Sequence, residues 1–495
     1  MEITNAQIKI LKVKAIKLVN QGKTDKASMI YEDLIRNGIE SALIYSNLAS
    51  LKRYKNKKQA IELLKRSIIL EPEYCSAYYN LANIYIDLEQ HNKAIVCLKQ
   101  AITIDNKFIA AYMNLGMIYL LANDLYTAIE NFNRIIQIDS NNYDAYINLG
   151  NAYKGLGELD KAIGLYEKVM KFNPQKLEAF VNYSLTQLLK GNYLLGWKYF
   201  DLRSQGKQPI KPHVMPIIKH YESKTLLNRS RLLVVSEQGL GDTLQFMRYI
   251  KFLKEKKFKV TFCAQRCLHK LIRSSNIDKK PIDIEEAKLI TKGEWISLLS
   301  LPSYLGVTPQ KPLMYQPYIK ANPKLIEKWN NLLNQEKRPI IGINWQGNPN
   351  VEKSTLKGRS FQLEKFAKII DKNNITLLSL QKGYGLEQMS TCSFSNRFIN
   401  EQDKINEIID FDETAAIIAN CNLIITSDTC VAHLAGGMGK PVWLLIQYIP
   451  YWTWGMNKST TFWYPSMRLF RQKKINDWDE VMERVSKALE HTISF

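Results

Sequence analysis

The sequence predicts two architectures in series: an N-terminal superhelix of stacked α-helix pairs, then two Rossmann-like α/β domains. Three observations carry this. Side chains recur at a 34-residue step through the first two hundred residues; the recurrence stops near residue 205; short apolar runs alternating with helical stretches begin near 229. At 495 residues the chain is too long for one hydrophobic core. An apolar content of 46%, with 11% aromatics, marks it as globular.

The repeat is read from its columns. Leu81, Leu115 and Leu149 keep the 34-residue step, as do Ala82, Gly116 and Gly150, and Tyr85, Tyr119 and Tyr153. In the second half of each unit Ala60, Ala94, Ala128 and Ala162 hold it, alongside Leu64, Leu98, Phe132 and Tyr166. Small residues let two helices approach, and the bulky ones fill the gap to the next unit. Weaker units precede (Ala15, Ala27, Tyr31) and follow (Tyr183, Gly196, Phe200), giving about five and a half units over 4–205. The pattern resembles the tetratricopeptide repeat.

One column suggests more than packing. Asn47, Asn80, Asn114 and Asn148 each precede the Leu–small pair, and Asn182 precedes Tyr183-Ser184 in the same column. On a first helix packed through that pair, the neighbouring side chain faces the concave groove, where a ladder of amides can grip a peptide backbone. It resembles the asparagine ladder of O-linked N-acetylglucosamine transferases. The alternative is an amide bonded within the repeat or solvated.

Ser204–Pro209 and the prolines at 212 and 216 mark a connector. Strands are then expected at 231–236, 259–263, 339–344, 375–380, 423–426 and 442–444, with a proline-containing link at about 309–324 dividing two βα sets. The assignment is repeats over 1–205, linker over 206–228, a first α/β domain over 229–320 and a second over 321–495.

Polar turns at strand ends carry the chemistry. Glu237-Gln238-Gly239-Leu240-Gly241-Asp242 opens a helix, and two glycines permit a tight turn and close backbone approach. Asp242 reads either as a general base or as an N-cap. Lys357 or Arg359, and Lys382 beside Gln381, are candidate cations for a leaving phosphate, or ordinary surface charges. Asp428 and Thr429 start a helix whose free amides suit a diphosphate, with His433 one turn in. The aromatics Tyr448, Tyr451, Trp452, Trp454, Trp463 and Tyr464 offer stacking faces for a sugar or acceptor, or pack the returning C-terminal segment.

Composition bounds the rest. The net charge of +21 is spread along the chain, which argues for a diffusely basic surface and against a dedicated nucleic-acid site. Peripheral association with anionic membrane faces remains among the expected partners. Seven cysteines without CxxC spacing read as reduced thiols, and no apolar run reaches the roughly 20 residues of a membrane span, so a cytoplasmic protein is expected. No His/Cys spacing suits a metal, and no cofactor is expected.

From about 229 to 485 the chain resembles glycosyltransferases related to ADP-heptose:lipopolysaccharide heptosyltransferases, in the bacterial subclass fused behind tetratricopeptide repeats. The matching pieces are Ser236–Phe246, Ser379-Leu380-Gln381-Lys382-Gly383, Asp412-Glu413-Thr414-Ala415, Asp428-Thr429 through Gly436, and Trp463–Gln472. The resemblance implies a GT-B fold and metal-independent, inverting transfer from a nucleotide sugar. It makes Asp242 the catalytic base and implies donor binding by Asp428, Thr429 and His433; Gly239, Gly241, Arg359, Gln381 and Lys382 complete the expected donor side. The repeats would bind a protein or peptide acceptor through the asparagines. Cys430 replaces a Gly usual in the family, and Thr453 an Arg often found between the two tryptophans, so the sugar is left unnamed. The rival expectation is a repeat-based protein-interaction scaffold with an inactive transferase-like domain.

Overall fold

The computed structural model describes residues 4–206, 209–222, 226, 231–314, 317–352, 358–370 and 374–492. The chain divides into two compact units, Met1–Pro174 and Gln175–Phe495.

The first unit is built of helix pairs: Asn5–Asn20 with Thr24–Arg36, Ala42–Lys52 with Lys57–Leu70, Cys75–Asp87 with His91–Ile104, Ile109–Leu121 with Leu125–Ile138, and Tyr143–Gly155 with Leu159–Phe172. The small-residue column does what its spacing predicts. A Cβ on Gly116 would lie 2.5 Å from the Phe132 ring, and one on Gly150 2.5 Å from the Tyr166 ring. Ala82, Ala94, Leu98, Ala101, Ala111 and Leu115 form one such buried layer. Within the third, fourth and fifth pairs the chain reverses through a left-handed residue, and these also recur every 34 residues: Glu89 (φ 56°), Asn123 (φ 63°) and Gly157 (φ 80°).

The second unit begins with the last helix pair, Leu177–Lys190 and Tyr193–Trp197. The sequence grouped this pair with the repeats up to 205; its contacts group it with the α/β region instead. Two sheets follow. The first comprises β1 (Lys219–His220), β2 (Leu232–Val235), β3 (Val260–Cys263) and β4 (Glu294–Ser297), ordered β1-β4-β2-β3 with every pairing parallel. The second comprises β5 (Ile340–Asn344), β6 (Thr376–Ser379), β7 (Leu423–Ser427), β8 (Val442–Ile446), β9 (Thr460–Thr461) and β10 (Tyr464–Arg471), ordered β6-β5-β7-β8-β10-β9. Only β9 runs antiparallel.

In the second sheet β5, β7 and β8 are buried along their whole length, as parallel strands covered on both faces must be. Helix Trp478–Thr492 covers one face through Trp478, Val481, Met482, Val485 and Leu489, which share a helical stripe. Helix Cys430–Gly437 lies against β10, where a Cβ on Gly436 would meet Tyr464 at 2.8 Å. The strand order reverses at β5, with β6 placed on one side of it and β7 on the other. Ligand crevices in open α/β sheets lie at the carboxyl ends beside such a switch point. Among the described residues no helix is long and apolar enough to cross a membrane.

Candidate functional site

Helix Leu240–Phe246 follows β2. Its N-cap is Gly239, so Asp242 is the third helical residue and not the cap. The Asp242 carboxylate turns back to accept from the Gly239 amide (3.0 Å), the reciprocal half of a capping box. Gly241 is placed by close approach: a Cβ there would lie 2.9 Å from His433 Cδ2 and 3.6 Å from Cys430 Cα. The glycine-bearing turn after β2 and the first turn of helix Cys430–Gly437, far apart in sequence, are therefore packed against one another.

The carboxyl ends of β5 and β7 meet at the switch point. Thr429 does not cap its helix; its hydroxyl donates to Asn344 Oδ1 (2.8 Å), which leaves the first turn of Cys430–Gly437 without a side-chain cap. Arg359 is 11% exposed and donates to the Asp428 carbonyl (3.0 Å) and to Glu352 (3.1 Å). Gly347 makes room for it, since a Cβ there would meet the guanidinium at 2.4 Å. Lys357 lies outside the described residues.

Electrostatics separate the two acids from their ordinary range. Burial pushes the Asp242 carboxyl up to about 7; the Gly239 amide opposes this, and the charges of Asp428 and Glu237 add to it. Burial raises Asp428 to about 6, opposed by the Trp454 side chain and Arg359. His433 is held down to about 3 by burial, Arg248 and Arg359, so it is neutral near pH 7. It pairs with the Tyr464 hydroxyl (2.9 Å) and stacks on Trp454 (5.3 Å between centroids, 23°).

Two expected donor residues are engaged elsewhere. The Gln381 amide is spent within the protein: Oε1 accepts from Asn344 Nδ2 (2.8 Å), Trp345 N (3.2 Å) and Gln346 N (3.1 Å), while Nε2 donates to Gln346 and Tyr384 carbonyls. It ties β5 to the turn after β6. The Lys382 ammonium donates to the Ile405 carbonyl, beside helix Gln402–Asn406, and burial lowers it to about 8. In the Asp412–Ala415 segment, Asp412 accepts from Ser274 (2.6 Å) and Glu413 from Trp329 and Lys328, so these carboxylates join neighbouring helices.

Sequence reasoning missed Arg203. It donates to Glu237 Oε1 (2.5 Å), Ser300 (3.0 Å) and Asp201 (2.9 Å), and both Arg203 and Glu237 are buried. His213 brackets the same turn through Ser236 Oγ (2.9 Å) and the Gln238 carbonyl (3.0 Å). The turn bearing Asp242 is thus clamped by the segment that follows the last helix pair. A buried Glu just before a Gly-rich turn was the available signal, because it requires a cation.

The aromatic cluster packs the returning C-terminal segment, Trp452 against Trp463 (6.1 Å) and Trp454 against Tyr464 (6.2 Å), and it also reaches the last helix pair. Trp452 contacts Trp197 (5.5 Å) and Phe200 (5.7 Å), while Trp463 contacts Tyr193 (6.4 Å) and Phe246 (5.7 Å). The rings pack the last helix pair onto the α/β region.

The asparagine column is half-buried throughout. Asn80, Asn114 and Asn148 each donate to the preceding unit, to Ser46 (2.9 Å), Asn83 (2.7 Å) and Met113 Sδ (3.5 Å); Asn47 donates to Tyr31 (3.1 Å). Asn182 sits on the helix Leu177–Lys190 of the second unit.

Models of the tetratricopeptide repeat match residues 75–108, 109–142 and 143–176. Residues 75–176 are tetratricopeptide repeats. Over a longer span the chain is similar to protein FlbA of Caulobacter vibrioides, 21% identical over 286 residues, covering 53% of this chain and 47% of FlbA. The chain thus spans about half of that relative's length. Among solved structures, MamA is 25% identical, covering 34% of this chain and 93% of its own, with a TM-score of 0.31. YrrB, described as a tetratricopeptide-repeat protein with an unusual peptide-binding site, is 22% identical, covering 35% and 90%, with a TM-score of 0.31. The repeats support a role in protein interaction.

Proposed function

We propose that this protein is a GT-B-type glycosyltransferase that moves a sugar from a nucleotide-sugar donor to a protein, glycan or lipid acceptor, with its repeats as the partner-binding arm. One observation carries the reading: Gly241 packs onto the first turn of the Cys430–Gly437 helix, bringing Asp242 beside Asp428 at the switch point of the second sheet.

The chemistry follows from those groups. Asp242 takes the proton of an acceptor hydroxyl, the oxygen attacks the anomeric carbon, and the bond from that carbon to the diphosphate oxygen breaks with inversion. The diphosphate departs toward the uncapped helix N-terminus, whose field is worth about 0.3–2 kcal/mol, and toward Arg359. A base with a pKa of about 7 suits proton abstraction near neutral pH. Gln381 and His433 shape the site from behind, through Asn344 and Tyr464.

A panel of nucleotide sugars, screened for thermal stabilisation and hydrolysis, tests this. Stabilisation by at least one nucleoside diphosphate is expected. If none stabilises the protein, a repeat scaffold with an inactive α/β region becomes the better reading, and the tetratricopeptide repeats already support binding of that kind.

A further inference from the structure

Arg471 ends β10 on the sheet face that carries the Cys430–Gly437 helix, since Met467, four residues earlier on that strand, lies against Gly436 (3.0 Å from its built Cβ). Its Nη2 donates to the Trp454 carbonyl (3.3 Å), and Trp454 in turn stacks on His433. Its buried Nη1 has no hydrogen-bond partner, and no carboxylate pairs with it among the described residues. The hydroxyl of Thr453, which precedes Trp454 in the sequence, is likewise without a partner in a residue 3% exposed. A buried cation lacking a counter-charge costs stability, and a fold that keeps one has a use for it when an anion arrives. Burial alone draws this guanidinium down to about 10. β10 lies two strands from β7, about 10 Å at ordinary strand spacing, so Arg471 meets a different part of a ligand from the part at Asp428.

We propose that Arg471 forms a second oxyanion-binding position at the carboxyl edge of the second sheet. Its ligand is a phosphate or carboxylate oxygen of the nucleotide-linked sugar, and this identity rests on the transferase reading. A planar guanidinium with a free edge suits either group.

Calorimetric titration of wild type, Arg471→Met and Arg471→Lys with inorganic pyrophosphate tests the position. Arg471→Met is expected to weaken pyrophosphate binding by about tenfold or more, with Arg471→Lys between. The ligand-free thermal midpoint of Arg471→Met should not fall, because an unpaired buried charge has been removed. Equal affinity of wild type and Arg471→Met for pyrophosphate, UDP-glucose and UDP-glucuronate alike overturns the proposal, as does absence of binding of all three to wild type. A lowered midpoint with unchanged binding also overturns it and makes Arg471 structural. UDP-glucose and UDP-glucuronate separate the sources: weakening for both assigns the position to a phosphate, weakening for the uronate alone to a sugar carboxylate. If Arg471→Met loses pyrophosphate while wild type binds no nucleotide sugar, the oxyanion position stands and the transferase reading falls.

Discussion

At the scale of residues, Asp242 is neither the helix cap nor an ordinary surface carboxylate. It satisfies the Gly239 amide as a helix-start residue, and its desolvation still lifts it to about 7. Replacing it with Asn keeps the shape and removes the base. Donor binding should persist, while transfer falls by about 10²–10⁴-fold, measured as kcat at saturating donor. In wild type, transfer should rise with pH through about 7 as the carboxyl ionises, against the neighbouring charges of Asp428 and Glu237. Stability runs the other way. The folded pKa lies above the unfolded value of 3.8, so this group's contribution is complete below about 4 and is lost as pH rises through about 7. Thermal midpoints from pH 4 to 8 should therefore decline more steeply in wild type than in Asp242→Asn; parallel curves would show that Asp242 does not titrate there.

At the scale of elements, two kinds of contact hold the parts in place. In the repeats, Gly150 faces the Tyr166 ring so closely that even one added methyl must move it. Gly150→Ala should cost about 1–3 kcal/mol by overpacking, read from urea midpoints. Tyr166→Leu in the same chain should recover part of this; full additivity would mean that the two side chains do not meet. In the α/β region the Arg203–Glu237 pair clamps the turn before Asp242. Arg203→Gln leaves a buried carboxylate unpaired, and about 3–5 kcal/mol should be lost. The double change Arg203→Met with Glu237→Gln should lose less than Arg203→Gln alone.

At the scale of the molecule, the compact units part at Pro174, while the repeat pattern runs on to about 205. Tyr193, Trp197 and Phe200 are buried against Trp452, Trp463 and Phe246, so the last helix pair is part of the α/β core. A chain beginning at residue 175 should unfold cooperatively. One beginning at 206 exposes that aromatic surface, and should melt at a clearly lower temperature by circular dichroism. Equal midpoints would put the working boundary at 205.

The columns Leu81-Leu115-Leu149 and Ala82-Gly116-Gly150 were legible because a solenoid repeats its local packing in the sequence itself, each unit meeting only its neighbours. Strands β2, β5, β7 and β8 were legible as apolar runs, since a parallel strand covered on both faces is apolar throughout. By itself, then, the sequence determined the helix pairs, most strands, and the turns around Asp242 and Asp428. The tertiary structure alone decided that Gly241 seats against His433, that Gln381 and Lys382 spend their polar atoms inside the protein, and that Arg471 meets no carboxylate among the described residues. The physical reason is range. Periodicity and turn chemistry act between residues a few positions apart, whereas desolvation and charge pairing depend on which distant side chains arrive at the same place.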